Sequence, residues 1–153
     1  MISATKIKTQ PAGFTLIELI IVLSIILILT AISLPVYSSI QPNLDLNASI
    51  RQTTSDLRLA QQLAVTEQIN YSVIFDVVDN SYSIVNTKTN YIVKSYNINR
   101  NVRIESITGL ASSTATFNAT GASLESGTIV LANSNNRQST IEIKPSGYVK
   151  NTN

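Results

Sequence analysis

One acidic side chain stands near the start of the longest apolar run in this sequence. Glu18 belongs to the stretch Gly13-Phe14-Thr15-Leu16-Ile17-Glu18, and residues 14–34 contain no other charge. These roughly 21 residues, at about 1.5 Å of rise each, span the roughly 30 Å hydrocarbon core of a bilayer as a helix. A charge inside such a span costs at least about 2.5 kcal/mol. We therefore expect one membrane helix, in which Glu18 is either a tolerated charge near the interface or a functional group that needs a cation.

The residues around this run resemble the prepilin-type signal of type IV pilins and type II secretion pseudopilins. The matching residues are Lys6, Lys8, Gly13, Phe14, Glu18 and Pro35. The resemblance implies that a prepilin peptidase cuts between Gly13 and Phe14 and methylates the new amino terminus at Phe14. It also implies that Glu18 neutralises the terminal amine of an adjacent subunit during filament assembly, which supplies the missing cation.

The amino-terminal segment has two simpler interpretations, an ordinary secretory signal and a plain membrane anchor. An ordinary secretory signal has an apolar region of about 7 to 15 residues that ends in small residues, and Ser33-Leu34-Pro35 is a poor match to that pattern. A plain anchor gives no reason for Glu18, but it has the same topology, since Lys6 and Lys8 hold the first residues in the cytoplasm. We expect a single-pass protein of the inner membrane, with its C-terminal domain outside the cytoplasm. The processed precursor and the plain anchor differ in whether residues 1–13 survive.

A helical pattern continues beyond the apolar run. Pro35 removes one backbone hydrogen bond, so a kink is expected there rather than the end of the helix, and Pro42-Asn43 is a second candidate irregular point. Apolar residues then recur at helical spacing and predict a face that lies across a sheet. These residues are Ile50, Leu57, Ala60, Leu63 and Ala64. The other faces are predicted to be polar, with Arg51, Gln52, Asp56, Arg58, Gln62 and Glu67.

Past residue 68 the pattern changes to short runs of β-branched and aromatic residues between turn-forming residues. Seven strands are predicted, at residues 71–77, 81–85, 91–96, 102–107, 114–117, 128–131 and 140–143. The roughly 120 residues after the apolar run suffice for one small domain, which has no Cys and hence no disulfides. The predicted fold class is α+β: a long N-terminal helix, transmembrane and then amphipathic, packed on an antiparallel β-sheet domain of about seven short strands.

The C-terminal third resembles the domain of GspH/FimT-like minor pilins and pseudopilins. The matching stretches are residues 117–121, 127–131, 141–143 and 146–149, together with the helix segment 57–64. The resemblance implies a leader at 1–13, a transmembrane helix at 14–34, an amphipathic continuation at 35–68 and a GspH/FimT-like β-rich domain at 69–153. It implies a minor subunit that assembles with other pilins or pseudopilins in a type II secretion pseudopilus or a type IV pilus. Another member of the pilin superfamily, with a different sheet, is the alternative.

The composition argues against an enzyme. The chain has no His and no Cys, which removes the commonest general base, the thiol nucleophile and most transition-metal ligands. Asp76 and Asp79 are close in sequence, but an Asp beside a turn is usually a turn-forming residue, and two carboxylates make a weak calcium site. We predict no catalytic residues, no cofactor and no metal.

DNA binding is the main alternative function. DNA-binding FimT-like pilins have a Gly-Arg-x-Arg tail motif, and the matching stretch here is Gly147-Tyr148-Val149-Lys150, so the resemblance is partial. In this alternative, Tyr148 stacks on a base and Lys150 contacts a phosphate, with Arg100, Arg103, Arg137 and Lys144 as further candidate contacts. Without Lys6 and Lys8, however, 9 basic residues face 9 acidic ones, which leaves few charges to neutralise phosphates. An assembly subunit is therefore the leading prediction, and DNA uptake is the alternative.

Overall fold

The computed structural model of the protein describes residues 13–152, except for the side chains of residues 34–36. Lys6, Lys8 and the predicted leader up to residue 12 lie outside the described residues. The chain divides into two compact units, one that ends at Ser39 and one that begins at Ile40. The second unit contains both the sheets and the helical residues before them.

A single helix, α1, extends from Leu16 to Glu67. It begins at Leu16 because Thr15 is an N-cap residue, whose hydroxyl accepts a 3.3 Å hydrogen bond from the Glu18 amide. The assigned helix is unbroken at positions 35 and 42, so Pro42-Asn43 does not interrupt it. The kink at Pro35 stays a prediction.

Hydroxyl groups in the apolar half of α1 are satisfied within the helix. Ser24 and Ser33 each donate a 2.8 Å hydrogen bond to the carbonyl one turn earlier, and Thr30 donates one of 3.0 Å. Polar groups that face hydrocarbon need such internal partners, because lipid offers none. These hydroxyls are therefore compatible with a membrane-spanning segment.

Eight antiparallel strands follow the helix. They are β1 (Tyr71–Asp76), β2 (Ser81–Asn86), β3 (Tyr91–Asn97), β4 (Val102–Thr108), β5 (Thr114–Phe117), β6 (Gly127–Asn133), β7 (Gln138–Ile143) and β8 (Val149–Thr152). They form two four-stranded sheets, in the orders β3-β2-β1-β5 and β4-β6-β7-β8. The α+β class and the seven predicted strands are confirmed, and β8 is an additional strand.

The additional strand exists because the chain reverses after β7. Gly147 has a φ of 80°, in the left-handed region that favours glycine, and the Lys144 amide donates a 3.0 Å hydrogen bond to the Tyr148 carbonyl. The tail then pairs with β7, with Val149 opposite Ile143 and Lys150 opposite Glu142. The stretch that the sequence suggested as a tail motif is thus part of a hairpin.

One hydrophobic core lies between the second half of α1 and both sheets. The predicted stripe is confirmed, because Ile50, Leu57, Ala60 and Ala64 are buried and Leu63 packs against them at the margin. The first sheet contributes Tyr71, Val73, Phe75, Tyr82, Ile84, Ala115 and Phe117, and the second contributes Ile129, Leu131, Ile141 and Ile143. This part of α1 is therefore an integral element of the folded domain.

Candidate assembly and interaction sites

The start of α1 places an isolated carboxylate on an exposed apolar helix. Within the first compact unit, the span Leu16–Ser33 has a mean hydropathy of 2.8 and none of it is buried, which makes it long and apolar enough to cross a membrane. The Glu18 side chain is exposed and has no hydrogen bond or ion pair to any residue between 13 and 152. It is thus accessible to a cation on another molecule.

The predicted cleavage position lies just before this span. Phe14 is 87% exposed, and a Cβ built on Gly13 would meet no atom within 4 Å. Both residues precede the first turn of α1, so their backbone is not held by helical hydrogen bonds. The bond between them is sterically accessible in the described chain.

A buried polar cluster joins α1 to the first sheet. The Asp56 carboxylate accepts hydrogen bonds from the Tyr82 hydroxyl at 2.7 Å, Lys94 Nζ at 2.6 Å and Gln52 Nε2 at 3.0 Å. Asp56 is 2% exposed, so its predicted place on a polar face of the helix is wrong. Tertiary packing brings donors from β2 and β3 to it, and these donors compensate the lost hydration.

The same contacts shift two pKa values. Burial alone would raise the pKa of Asp56, but the hydrogen bonds from Lys94, Gln52 and Tyr82 favour the charged form and bring this pKa below its usual value. Burial, and then the hydrogen bond to Asp56, raise the pKa of Tyr82 far above its usual value. At neutral pH the cluster therefore contains an ionised Asp56 and a neutral Tyr82. The one sign of this cluster in the sequence is that Asp56 comes directly before Leu57, a residue of the predicted apolar stripe.

Tyr148 and Lys150, the residues suggested for DNA contact, have different neighbours in the structure. Tyr148 is exposed beside α1, where it lines a groove together with Arg58 and Gln61. Lys150 is on β8, directly opposite Glu142 on β7, so a carboxylate faces it across the strand pair. Lys150 does not line the groove that contains Tyr148, and it has a carboxylate opposite it.

The other basic candidates fall into two groups. Arg103 on β4 makes a 2.7 Å ion pair with Glu105, and Arg100 lies in the loop before β4. Lys144 follows β7 and precedes β8, and β8 is at the edge of the second sheet opposite β4. Arg137 is in the turn between β6 and β7. Arg100 and Arg103 line one cavity, and Arg103 hydrogen-bonds to the turn that contains Arg137, so these three arginines lie at one corner of the second sheet. Lys144 lies at the opposite end of β7.

The candidate calcium ligands are engaged in a turn. Asp76 Oδ1 accepts hydrogen bonds from the amides of Val78 at 2.9 Å and Asp79 at 3.0 Å, as in an Asx-turn. Among residues 13–152, no group of three or more His, Cys, Asp or Glu side chains is arranged to hold a metal ion. Asp76 thus has the turn-forming role that the sequence favoured.

An exposed apolar helix with one carboxylate, followed by a helix-on-sheet domain, defines the class of pilin-type filament subunits. The comparisons with known proteins agree with this class. Residues 9–34 match the prokaryotic N-terminal methylation motif, and residues 49–147 match the family of the type II transport protein GspH. The chain belongs to the GspH family, and it is a subunit of the minor pilin or pseudopilin type.

Solved structures of two such proteins have the same fold. The type IV minor pilin FimU of Pseudomonas aeruginosa superimposes with a TM-score of 0.60 at 14% identity, covering 72% of this chain and 90% of FimU. The minor pseudopilin EpsH from the type 2 secretion system of Vibrio cholerae superimposes with a TM-score of 0.60 at 12% identity, covering 71% of this chain and 96% of EpsH. No curated protein sequence matches the chain significantly. The likeness to both structures establishes the shared fold.

Proposed function

We propose that this protein is made as a precursor in the inner membrane, is cut between Gly13 and Phe14 by a prepilin peptidase, and is methylated at Phe14. The mature chain then joins a type IV-like filament as a minor subunit and has no catalytic role. The observation that carries this proposal is the span Leu16–Ser33, which is apolar and wholly unburied and contains Glu18 as its one charge. Such a helix needs lipid before assembly and other helices after it.

Assembly exchanges lipid contacts for contacts between helices. In the proposed mechanism α1 leaves the bilayer and packs among the corresponding helices of neighbouring subunits. Glu18 then pairs with the terminal amine of an adjacent subunit, so that a charge that is costly in lipid gains an opposite charge. The amine exists only after cleavage, because the precursor continues through Gly13 to the leader. Processing therefore creates the cation that Glu18 needs.

The sheet domain is proposed to remain on the extracytoplasmic side and to be displayed on the filament. It needs no disulfide, since its core is formed by α1 and the two sheets. Type II secretion and type IV pilus use share this architecture, and a gene deletion distinguishes them. Loss of protein secretion would assign the chain to a pseudopilus, whereas loss of surface pili or of twitching would assign it to a pilus.

Filament composition in the native host tests the proposal. Filaments sheared from cells would be purified, and this chain would be identified in them by mass spectrometry, with and without the prepilin peptidase gene. We expect the mature chain in filaments of peptidase-positive cells and only the membrane-bound precursor in the deletion strain. A chain that stays in the membrane fraction of both strains, while other subunits assemble normally, would overturn the proposal.

A further inference from the structure

A polar groove follows one face of α1 in the second compact unit. Its first part is lined by Arg51, Thr54, Ser55 and Arg58, which share a helix face, together with Asn151 of β8. Its second part is lined by Arg58, Gln61 and Gln62 of α1 and by the turn and strand residues Ser146, Gly147, Tyr148 and Val149. Arg58 lines both parts, and the two neighbouring parts together are called the arginine groove below.

The arginine groove has positive charge that the described chain does not neutralise. The two ion pairs among residues 13–152 are Lys94–Asp56 and Arg103–Glu105, and none of these four residues lines the groove. Arg58 donates a 3.3 Å hydrogen bond to the Val149 carbonyl, which leaves its charge uncompensated. Arg51 makes no hydrogen bond or ion pair with the described residues. Among residues 13–152, no carboxylate lines the groove.

We infer that the arginine groove is a docking site for an extended acidic segment of a partner protein. Arg51 and Arg58 lie seven residues apart on one helix face, roughly 10.5 Å along the axis at about 1.5 Å per residue. An extended segment in the polyproline II conformation repeats every three residues at about 3.1 Å of rise each, so carboxylates spaced i and i+3 lie on one side about 9 Å apart and reach both guanidinium groups. Arginine is suited to this role, because its planar fork donates two parallel hydrogen bonds to a carboxylate.

The groove also contains neutral polar groups for the backbone of such a segment. Asn151 and Gln62 are exposed at its margins, and their side-chain amides both donate and accept hydrogen bonds. Tyr148 is 56% exposed at the far end and offers an aromatic surface with a hydroxyl. Charge complementarity thus selects an acidic segment, and the polar margins accommodate its peptide groups.

A nucleic acid fits the arginine groove less well than an acidic peptide. Nucleic-acid affinity depends on the number of phosphates that a protein neutralises, and the groove offers two arginines. The nearest further cation on β8, Lys150, stands opposite Glu142. Two separated cations match two carboxylates, whereas they would neutralise only a small part of a phosphate backbone.

The experiment measures binding of a synthetic peptide to the full chain in detergent micelles. The probe is a fluorescent twelve-residue peptide of Glu-Ser-Ser repeats, and its counterpart has Gln in place of every Glu. We expect saturable binding of the acidic peptide at about 50 mM salt, weaker binding at about 200 mM, and at least a tenfold weaker binding of the neutral counterpart. Equal binding of the two peptides, or no binding of either, would overturn the inference.

Variants locate the binding on the protein. Arg51→Glu should weaken peptide binding at least tenfold, and Arg58→Lys should weaken it less, because lysine keeps the charge but not the planar fork. Arg100→Glu is the matched control, since it makes the same charge change before β4, at the opposite edge of the second sheet from β8. A similar loss in Arg100→Glu and Arg51→Glu would indicate a net-charge effect and contradict the inference. Circular dichroism and thermal unfolding would show that each variant is folded.

Competition decides between the two kinds of anionic partner. A single-stranded oligonucleotide and the unlabelled peptide would each compete with the fluorescent peptide. If the oligonucleotide displaces it at the lower concentration, the groove is a nucleic-acid site and the inference is overturned. The partner's place in a filament rests on the proposed function, but the peptide measurement does not require cleavage at Gly13 or incorporation into filaments. A failure of the docking inference and a failure of the proposed function are therefore distinguishable.

Discussion

The Tyr82 hydroxyl donates a 2.7 Å hydrogen bond to the Asp56 carboxylate inside the core, where both residues are 2% exposed. This contact joins α1 directly to β2, and the Lys94 ammonium extends it to β3. Apolar packing alone leaves some freedom for a helix to slide along a sheet. A directional hydrogen-bond cluster between them selects one position, which we regard as its structural role here.

Substitutions in this cluster should destabilise the domain to different degrees. Asp56→Ala should lower the free energy of unfolding by about 3 kcal/mol, because it leaves a buried hydroxyl and a partly buried ammonium without their acceptor. Tyr82→Phe should cost about 2 kcal/mol, since it removes one hydrogen bond to an ionised carboxylate and keeps the ring. Chemical denaturation of the full chain in micelles, followed by circular dichroism, measures both values.

The control for these variants is Ser95→Ala, an exposed position next to Lys94 on β3. It should change the free energy of unfolding by less than about 0.5 kcal/mol. If Asp56→Ala lowers the free energy of unfolding as little as this control does, the cluster does not stabilise the fold.

Acidification should remove the contribution of Asp56. The pKa of this carboxyl is lower in the folded chain than in the unfolded chain, so the folded state favours the ionised form. Its stabilisation is present above the unfolded pKa of about 3.9 and is lost as the pH falls through the lower folded value. The stability difference between wild type and Asp56→Asn, measured from pH 7 to pH 2, should therefore shrink below about pH 4. A difference that stays constant over this range would contradict the assignment.

Glu18→Ala should separate membrane insertion from assembly. Insertion and cleavage should be retained, because the substitution removes a charge from an apolar span, while incorporation into filaments should fall strongly. Quantitative mass spectrometry of the membrane and sheared-filament fractions measures both steps. Glu18→Gln keeps a hydrogen-bonding group without the charge, so a defect as large as that of Glu18→Ala would identify the charge as the requirement. Normal incorporation of the alanine variant would exclude the proposed pairing with a terminal amine.

The intact mass of the protein from its native membrane should reveal processing. We expect a species that begins at Phe14 and carries one additional methyl group, because Gly13 supplies the small residue before the cut. Gly13→Leu should accumulate the precursor, and Gly13→Ala should have a milder effect. Wild-type protein that retains residues 1–13 in peptidase-positive cells would show that the segment is a plain anchor.

DNA binding by the full chain in micelles should be absent at about 0.15 M salt. The reason is the balance of charge after the leader, where 9 basic residues face 9 acidic ones, together with the position of Glu142 opposite Lys150 in the structure. Fluorescence anisotropy with labelled oligonucleotides at about 50 to 200 mM salt provides the measurement. Saturable, salt-sensitive binding that a Lys144→Ala, Lys150→Ala double variant abolishes would make DNA uptake the leading function.

Local pattern was enough to predict much of this protein from the sequence. The apolar run with Glu18, the helical stripe that contains Leu57, and seven strands with their turns each depend on residues close together along the chain. Their periods of 3.6 and 2 residues are imposed by backbone geometry, so they are readable without knowledge of the fold. The proposed cleavage position between Gly13 and Phe14 likewise depends on a contiguous motif.

The remaining features required the tertiary structure, because they arise between residues that are far apart in sequence. The division of the strands into two sheets depends on which edges pair, and β8 forms only because β7 is available to it. Aspartate is a residue type that usually lies at the surface. Asp56 can be buried because it accepts hydrogen bonds from Lys94 and Tyr82, which are 38 and 26 positions away in the sequence. The arginine groove likewise depends on where β8 meets α1. Local propensity determines the helix and the strands. Which polar groups are buried, and which surfaces remain charged, depends on the balance between the cost of desolvation and the hydrogen bonds to specific partners. Only the folded chain brings those partners together.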